Sequence, residues 1–158
     1  MHSITIDTSK QALTLVDGKE LLKRYPISTA LNGLGEKKGS GCTPTGLHFI
    51  RAKIGARCES GSVFVGRRFT GEIYTQQLAD RYPDRDWILS RILWLCGREV
   101  GKNRLADVDT MQRYIYIHGT PDTEPMGVPL SHGCIRMRNE DVIELFDFVS
   151  IGTEVIIC

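Results

Sequence analysis

The chain has 158 residues, 41% of them hydrophobic and 25% charged, with a net charge of +1. That is enough sequence for one domain with a real core, and too apolar and too balanced in charge for a disordered tail. Twenty Lys and Arg against nineteen Asp and Glu argue against a nucleic-acid partner held by phosphate neutralisation, which calls for a far more basic surface.

The N-terminus enters an alternating pattern at once. Ser3 to Thr8 places Ile4 and Ile6 on one face, as a half-buried strand does. Ala12 to Val16 reads as a second strand, turned at Asp17-Gly18 into a third over Glu20 to Thr29, where Pro26 marks an edge or a bulge. Asp7, Lys10 and Asp17 leave no apolar run between them, so no secretory leader is read here. The expected location is the cytoplasm, or the periplasm if a signal has been removed.

A glycine-rich stretch follows from Asn32 to Gly46. It lacks the G-x-x-x-x-G-K-[ST] spacing of a phosphate loop and reads as a surface loop. Leu47 to Ile54 and Ser62 to Phe69 read as strands, Tyr74 to Arg85 as a loop or short helix, and Trp87 to Cys96 as a central strand, with a helix as the competing reading. Apolar runs such as Ile92 to Cys96 fall far below the roughly twenty residues of a membrane-spanning helix, so no membrane insertion is expected. Arg113 to His118 alternates, with Tyr114, Tyr116 and His118 on one face. The one convincing helix has Asn139 as N-cap, Glu140 and Asp141 at its positive end, and Val142, Ile143, Phe146 and Val149 on one face, with Gly152 as its stop. Glu154 to Ile157 reads as a last strand. The pattern is a mainly β fold, a sandwich or open barrel of mixed sheets with one packed helix near the C-terminus. Residues 1–158 form a single domain.

The chemistry concentrates between His118 and Arg136, in HGTPDTEPMGVPLSHGCIR. The odd set Cys42, Cys58, Cys96, Cys134 and Cys158 contains no C-x-x-C pair. It fits a reducing compartment in which most cysteines are small buried hydrophobes and one is free for chemistry. His118 and Cys134 are sixteen residues apart, at the two ends of a loop able to return to its start. An imidazole can take the proton of a thiol and create a nucleophile. Gly133 would let a substrate carbonyl approach, with nearby backbone N–H groups facing the oxyanion. Residue types alone leave three readings open: a Cys/His nucleophile, a packed cysteine with two satisfied histidines, and a zinc site on His118, His132 and Cys134.

The segment SHGCIRM, preceded by a strand ending in His118-Gly119, resembles the signature of the L,D-transpeptidase catalytic domain, the YkuD family. That pattern is a His at a strand end, a loop of about fifteen residues, then S/T-H-G-C, a hydrophobic residue and Arg or Asn; here it reads Ser131, His132, Gly133, Cys134, Ile135, Arg136. The opening ITIDTSKQALTLVDGKELLKRYPIST resembles the family's first hairpin and third strand, and TPTGLHFI (Thr43 to Ile50) its T-P-x-G-x-F/Y-x-I element.

The resemblance implies Cys134 as nucleophile, His118 as its base, and the Gly119 carbonyl as the group that orients the imidazole. His132 would line the site and support the loop or the oxyanion, or make a purely structural hydrogen bond, and Ser131 would fix the turn. Arg136 would bind a substrate carboxylate, an ion pair being the alternative; Tyr114 and Tyr116 are oxyanion candidates by their shared face with His118. The implied substrate is a peptidoglycan tetrapeptide or muropeptide, cleaved between diaminopimelate (or lysine) and the terminal D-alanine through a thioester, without metal or cofactor. The family's sensitivity makes Cys134 a carbapenem target. Without a leader in view, hydrolysis of soluble muropeptides in recycling (L,D-carboxypeptidase activity) is expected over the 3→3 cross-linking of an exported transpeptidase, with a non-catalytic stem-peptide-binding module as a further alternative. Oligomeric state and the roles of Trp87, Trp94 and Arg67-Arg68 are not legible in the sequence.

Overall fold

The apolar alternation of the first thirty residues builds three antiparallel strands in the computed structural model, which describes residues 1–158: β1 (His2–Asp7), β2 (Ala12–Asp17) and β3 (Glu20–Ser28). Ile4 pairs with Leu15 and Ile6 with Leu13, so all four face one interior and are fully buried. β3 pairs onward with β9 (Ile135–Arg138) only through Ile27 and Ser28. Pro26 therefore sits where the strand's outer edge is still unpaired, and its missing N–H removes no bond there.

The remaining ring strands are β4 (Gly46–Ile54), β7 (Ile88–Gly97), β8 (Tyr116–Thr120) and β10 (Glu154–Ile157). The order β4-β10-β1-β2-β3-β9-β8-β7 returns through β7–β4 pairing, so the expected mixed sheet closes into a barrel and leaves no ring edge. β1–β10 and β8–β9 are the parallel pairs. The expected C-terminal helix is α2 (Asn139–Phe148), whose Val142, Leu145 and Phe146, with Val149 just beyond, join the barrel core of Ile4, Leu15, Ile117 and Ile135. No helix is long and apolar enough to cross a membrane.

Four local expectations are corrected. The single strand over Ser62 to Phe69 is a hairpin, β5 (Ser62–Val65) and β6 (Arg68–Ile73), because Gly66 and Arg67 take φ of 56° and 64° in a two-residue turn. The strand expected from Arg113 begins only at Tyr116, since Tyr114 is left-handed at φ 57°, and it runs on to Thr120. Asn139 is not the N-cap; Arg138 is, without a side-chain cap. The buried Asn139 amide instead donates to the Thr120 carbonyl at 2.9 Å, and its oxygen accepts from Ser90 Oγ at 2.6 Å. The helix stops at an extended Val149, ahead of Gly152. The short helix allowed within Tyr74 to Arg85 is α1 (Gln76–Arg81), capped by the Thr75 side chain. The five cysteines are free; Cys96 is buried, Cys42, Cys58 and Cys134 are partly buried and Cys158 is exposed, so the picture of small buried hydrophobes holds fully for Cys96 alone.

His48 gives the fold a pH limit. It is fully buried on β4, its Nδ1 donating to the Gly46 carbonyl at 3.0 Å and its Nε2 accepting from Thr110 Oγ1 at 2.9 Å. Burial lowers its pKa from 6.5 to about 4. The unfolded chain therefore takes up a proton below pH 6.5 that the folded chain refuses until about pH 4. Stability is expected to fall by roughly 3 kcal/mol across that window. Urea unfolding between pH 7 and 4 reads this, and His48→Gln is expected to flatten the dependence.

Candidate active site

The site grows out of the parallel β8–β9 ladder. Ile117 pairs with Ile135 and His118 with Arg136. Alternation sends Ile117, Ile135 and Met137 into the barrel core, where all are fully buried. It leaves Tyr116, His118, Cys134 and Arg136 on the outer face. One step back along the register sets Cys134 beside Tyr116, whose N–H donates to Sγ at 3.3 Å. The thiol in turn donates to the Tyr114 carbonyl at 3.4 Å, which the left-handed Tyr114 backbone aims at it.

His118 is almost wholly buried, with Nδ1 2.6 Å from the Gly119 carbonyl. A carbonyl only accepts, so Nδ1 carries the proton and Nε2 is left as a base. Gly119 itself has no room for a Cβ: the Asn139 side chain and the Leu89 carbonyl occupy that space. His118 and Cys134 line one cleft of about 370 Å³. Burial lowers the His118 pKa, and burial pushes the Cys134 thiol up to about 12. At neutral pH the pair therefore rests as neutral thiol and neutral imidazole.

The loop that returns from His118 to Cys134 is tied to the end of β3. Ser28 Oγ donates to the Val128 carbonyl at 2.6 Å, and Ser131 N–H donates to the Thr29 carbonyl at 2.9 Å. Ser131 also fixes the turn, its Oγ donating to the Cys134 carbonyl at 2.6 Å and accepting the Gly133 N–H at 3.2 Å. The Gly133 N–H is taken by Ser131, and a Cβ there would meet the Cys42 carbonyl and Ile115 at 3.2 Å, so the missing side chain also lets the turn pack against the glycine-rich loop. The Cys134 N–H has no protein acceptor and is the donor left for an oxyanion.

The remaining expected residues lie round the same cleft. His132 is exposed, with Nδ1 3.8 Å from Asp86. The Arg136 side chain is 11% exposed and lies 3.5 Å from Asp86 and 3.9 Å from Glu124, an ion-pair arrangement. The Tyr116 ring packs with Phe64 and Ile92, and its hydroxyl accepts from Arg67 at 3.0 Å.

Sequence reasoning missed Arg113 and Thr43. Arg113 reaches the carbonyls of Gly35, Glu36 and Cys42 at 3.2, 3.0 and 2.7 Å, holding the glycine-rich stretch under the thiol. That stretch is part of the site's frame rather than a free surface loop. Thr43 is fully buried; its Oγ1 donates to the Gly133 carbonyl at 2.9 Å and accepts the Ala30 N–H at 3.0 Å. Its position in the T-P-T-G segment was the available signal. Thr43→Val is expected to strand both partners and lower stability by about 3 kcal/mol in urea unfolding, since an unsatisfied buried group loses its full desolvation free energy.

A thiol and an oriented imidazole thus share one cleft on the outer face of a closed barrel. The comparisons agree in family. The profile of the YkuD L,D-transpeptidase catalytic domain matches residues 1–157, and the chain belongs to that family. The probable L,D-transpeptidase YbiS of Escherichia coli K12 is 49% identical over 43 residues, 27% of this chain and 14% of that protein. The putative L,D-transpeptidase YqjB of Bacillus subtilis 168 is 49% identical over 41 residues, 26% of this chain and 23% of that protein. These matches thus span less than a quarter of those relatives. In structure, L,D-transpeptidase 3 of Mycobacterium tuberculosis with a faropenem-derived adduct superposes with a TM-score of 0.58 at 18% identity, over 99% of this chain and 59% of that one.

Proposed function

We propose that the chain is a cysteine acyl-transfer enzyme acting on peptidoglycan stem tetrapeptides, with water as its acyl acceptor. The observation that supports this most directly is the neutral His118, turned by the Gly119 carbonyl so that Nε2 is free as a base in the cleft it shares with Cys134. His118 Nε2 takes the thiol proton, and Sγ attacks the carbonyl carbon of the third stem residue. The Cys134 N–H donates to the resulting oxyanion. His118 then returns the proton to the departing D-alanine amine, leaving a thioester. His118 next deprotonates a water, which attacks the thioester; tripeptide leaves and the thiol is restored.

His118 and Cys134 share one cleft, and water as acceptor needs no second peptide site. A second reading, transfer to an amine with a 3→3 product, draws support from an adjoining cleft that shares Asp86, His132 and Arg136 and adds Asp80, Asp84 and Glu124. Acid groups suit an ammonium acceptor. Incubation with purified disaccharide tetrapeptide and mass spectrometry separates the two. Tripeptide and free alanine are expected, a dimeric 3→3 product as main species would move the assignment to transpeptidation, and absence of turnover would favour a stem-peptide-binding module.

A further inference from the structure

Three arginines line the thiol cleft: Arg67, Arg113 and Arg136. Two are committed. Arg113 is spent on three loop carbonyls, and Arg136 lies between Asp86 and Glu124. Arg67 has no carboxylate within ion-pair distance.

Arg67 is nonetheless held in place. It sits at the tip of the β5–β6 hairpin in a left-handed turn position, half-buried. Its guanidinium lies over the Trp94 ring at 4.9 Å and the Tyr114 ring at 4.7 Å. Nη1 donates to Tyr116 Oη at 3.0 Å. A guanidinium has five N–H donors in a fixed fork, and Arg67 makes this one side-chain hydrogen bond. Stacking fixes the plane of the fork before any ligand arrives, which removes part of the entropy lost on binding. The residue that receives Nη1 is also the one whose N–H holds the Cys134 sulfur. The free cation and the nucleophilic atom are thus anchored to one residue.

We propose that Arg67 is the carboxylate receptor of the cleft and pairs with a free carboxylate of the acyl donor, the role that the sequence pattern suggested for Arg136. The proposal rests on the stem-peptide reading above. A stem tetrapeptide offers such a group at its terminal D-alanine, and a second on the side chain where its third residue is diaminopimelate. The chemistry at Arg67 is the same for both, a bidentate charge-assisted pair.

The test compares kcat/KM for the disaccharide tetrapeptide, its terminal carboxamide, and the form amidated on the diaminopimelate side chain, using wild type, Arg67→Lys and Arg67→Gln. One of the two amidations is expected to lower wild-type kcat/KM about 10- to 100-fold, and that one identifies the carboxylate. Arg67→Gln is expected to show the same loss with the parent donor and to stop distinguishing it from the amide, while Arg67→Lys recovers part of the rate. Unchanged iodoacetamide alkylation of Cys134 and an unchanged melting temperature show that the hairpin and thiol are intact. Equal turnover of all three donors by wild type, or discrimination retained in Arg67→Gln, overturns the assignment. If Arg67→Gln does not fold, the wild-type donor ratio and Arg67→Lys decide alone. No turnover of any donor by wild type refutes the acyl-transfer reading on which the proposal rests, and the role of Arg67 toward an acyl donor with it.

Discussion

Replacing Cys134 with alanine is expected to lower tetrapeptide turnover by at least about 10⁴-fold while leaving the barrel folded, because the two-step route through a thioester has no other thiol in the cleft. Of the other four free cysteines, Cys96 is buried, and Cys42, Cys58 and Cys158 do not line the cleft. None of them can substitute. Product formation followed by mass spectrometry checks this, with circular dichroism to confirm folding. Turnover within tenfold of wild type would mean that water attacks the peptide directly, and the thioester route would fall.

His118→Gln is expected to lower kcat by about 10²- to 10⁴-fold, the range of a lost general base. The pH profile of the wild type carries more information than the size of that loss. Burial raises the thiol pKa to about 12 and lowers that of the imidazole. The active form has neutral His118, which is present above its lowered pKa and is lost as pH falls through it. kcat/KM is therefore expected to show an acidic limb lying below pH 6.5 and then a plateau through pH 9. A preformed thiolate–imidazolium pair would behave differently, losing rate above about pH 8 as the imidazolium deprotonates. A bell with a falling limb at that pH would contradict the neutral-pair assignment.

The strands were legible because their alternation is strict. Ile4 and Ile6, or Leu13 and Leu15, are buried together by a pleated chain, and each lies in the core. The spacing from His118 to Cys134 was legible too, since two parallel neighbouring strands joined by a loop return the chain to its start. What escaped notice depends on contacts across long sequence distance. Arg113 grips Cys42, and Thr43 holds Gly133, pairings that no local pattern announces. Asn139 carried a correct local signal for a cap, but Ser90 and Thr120 outbid the helix end for its amide. Arg67 stood in the run Val65-Gly66-Arg67-Arg68 that read as strand, and only the positive φ of the turn puts it in the thiol cleft. The packing of Gly133 against the Cys42 carbonyl was illegible for the same reason, its partner lying far away in sequence on the glycine-rich loop.

The central claim is that Cys134 forms the covalent intermediate, and peptide mapping after exposure to a carbapenem tests it most directly, since that reagent acylates the nucleophile and is released slowly. The expected result is one adduct per chain, on the peptide containing Cys134, absent in Cys134→Ala and formed more slowly in His118→Gln. An unmodified protein, or an adduct carried by Cys42, Cys58 or Cys158 with Cys134 free, would contradict it.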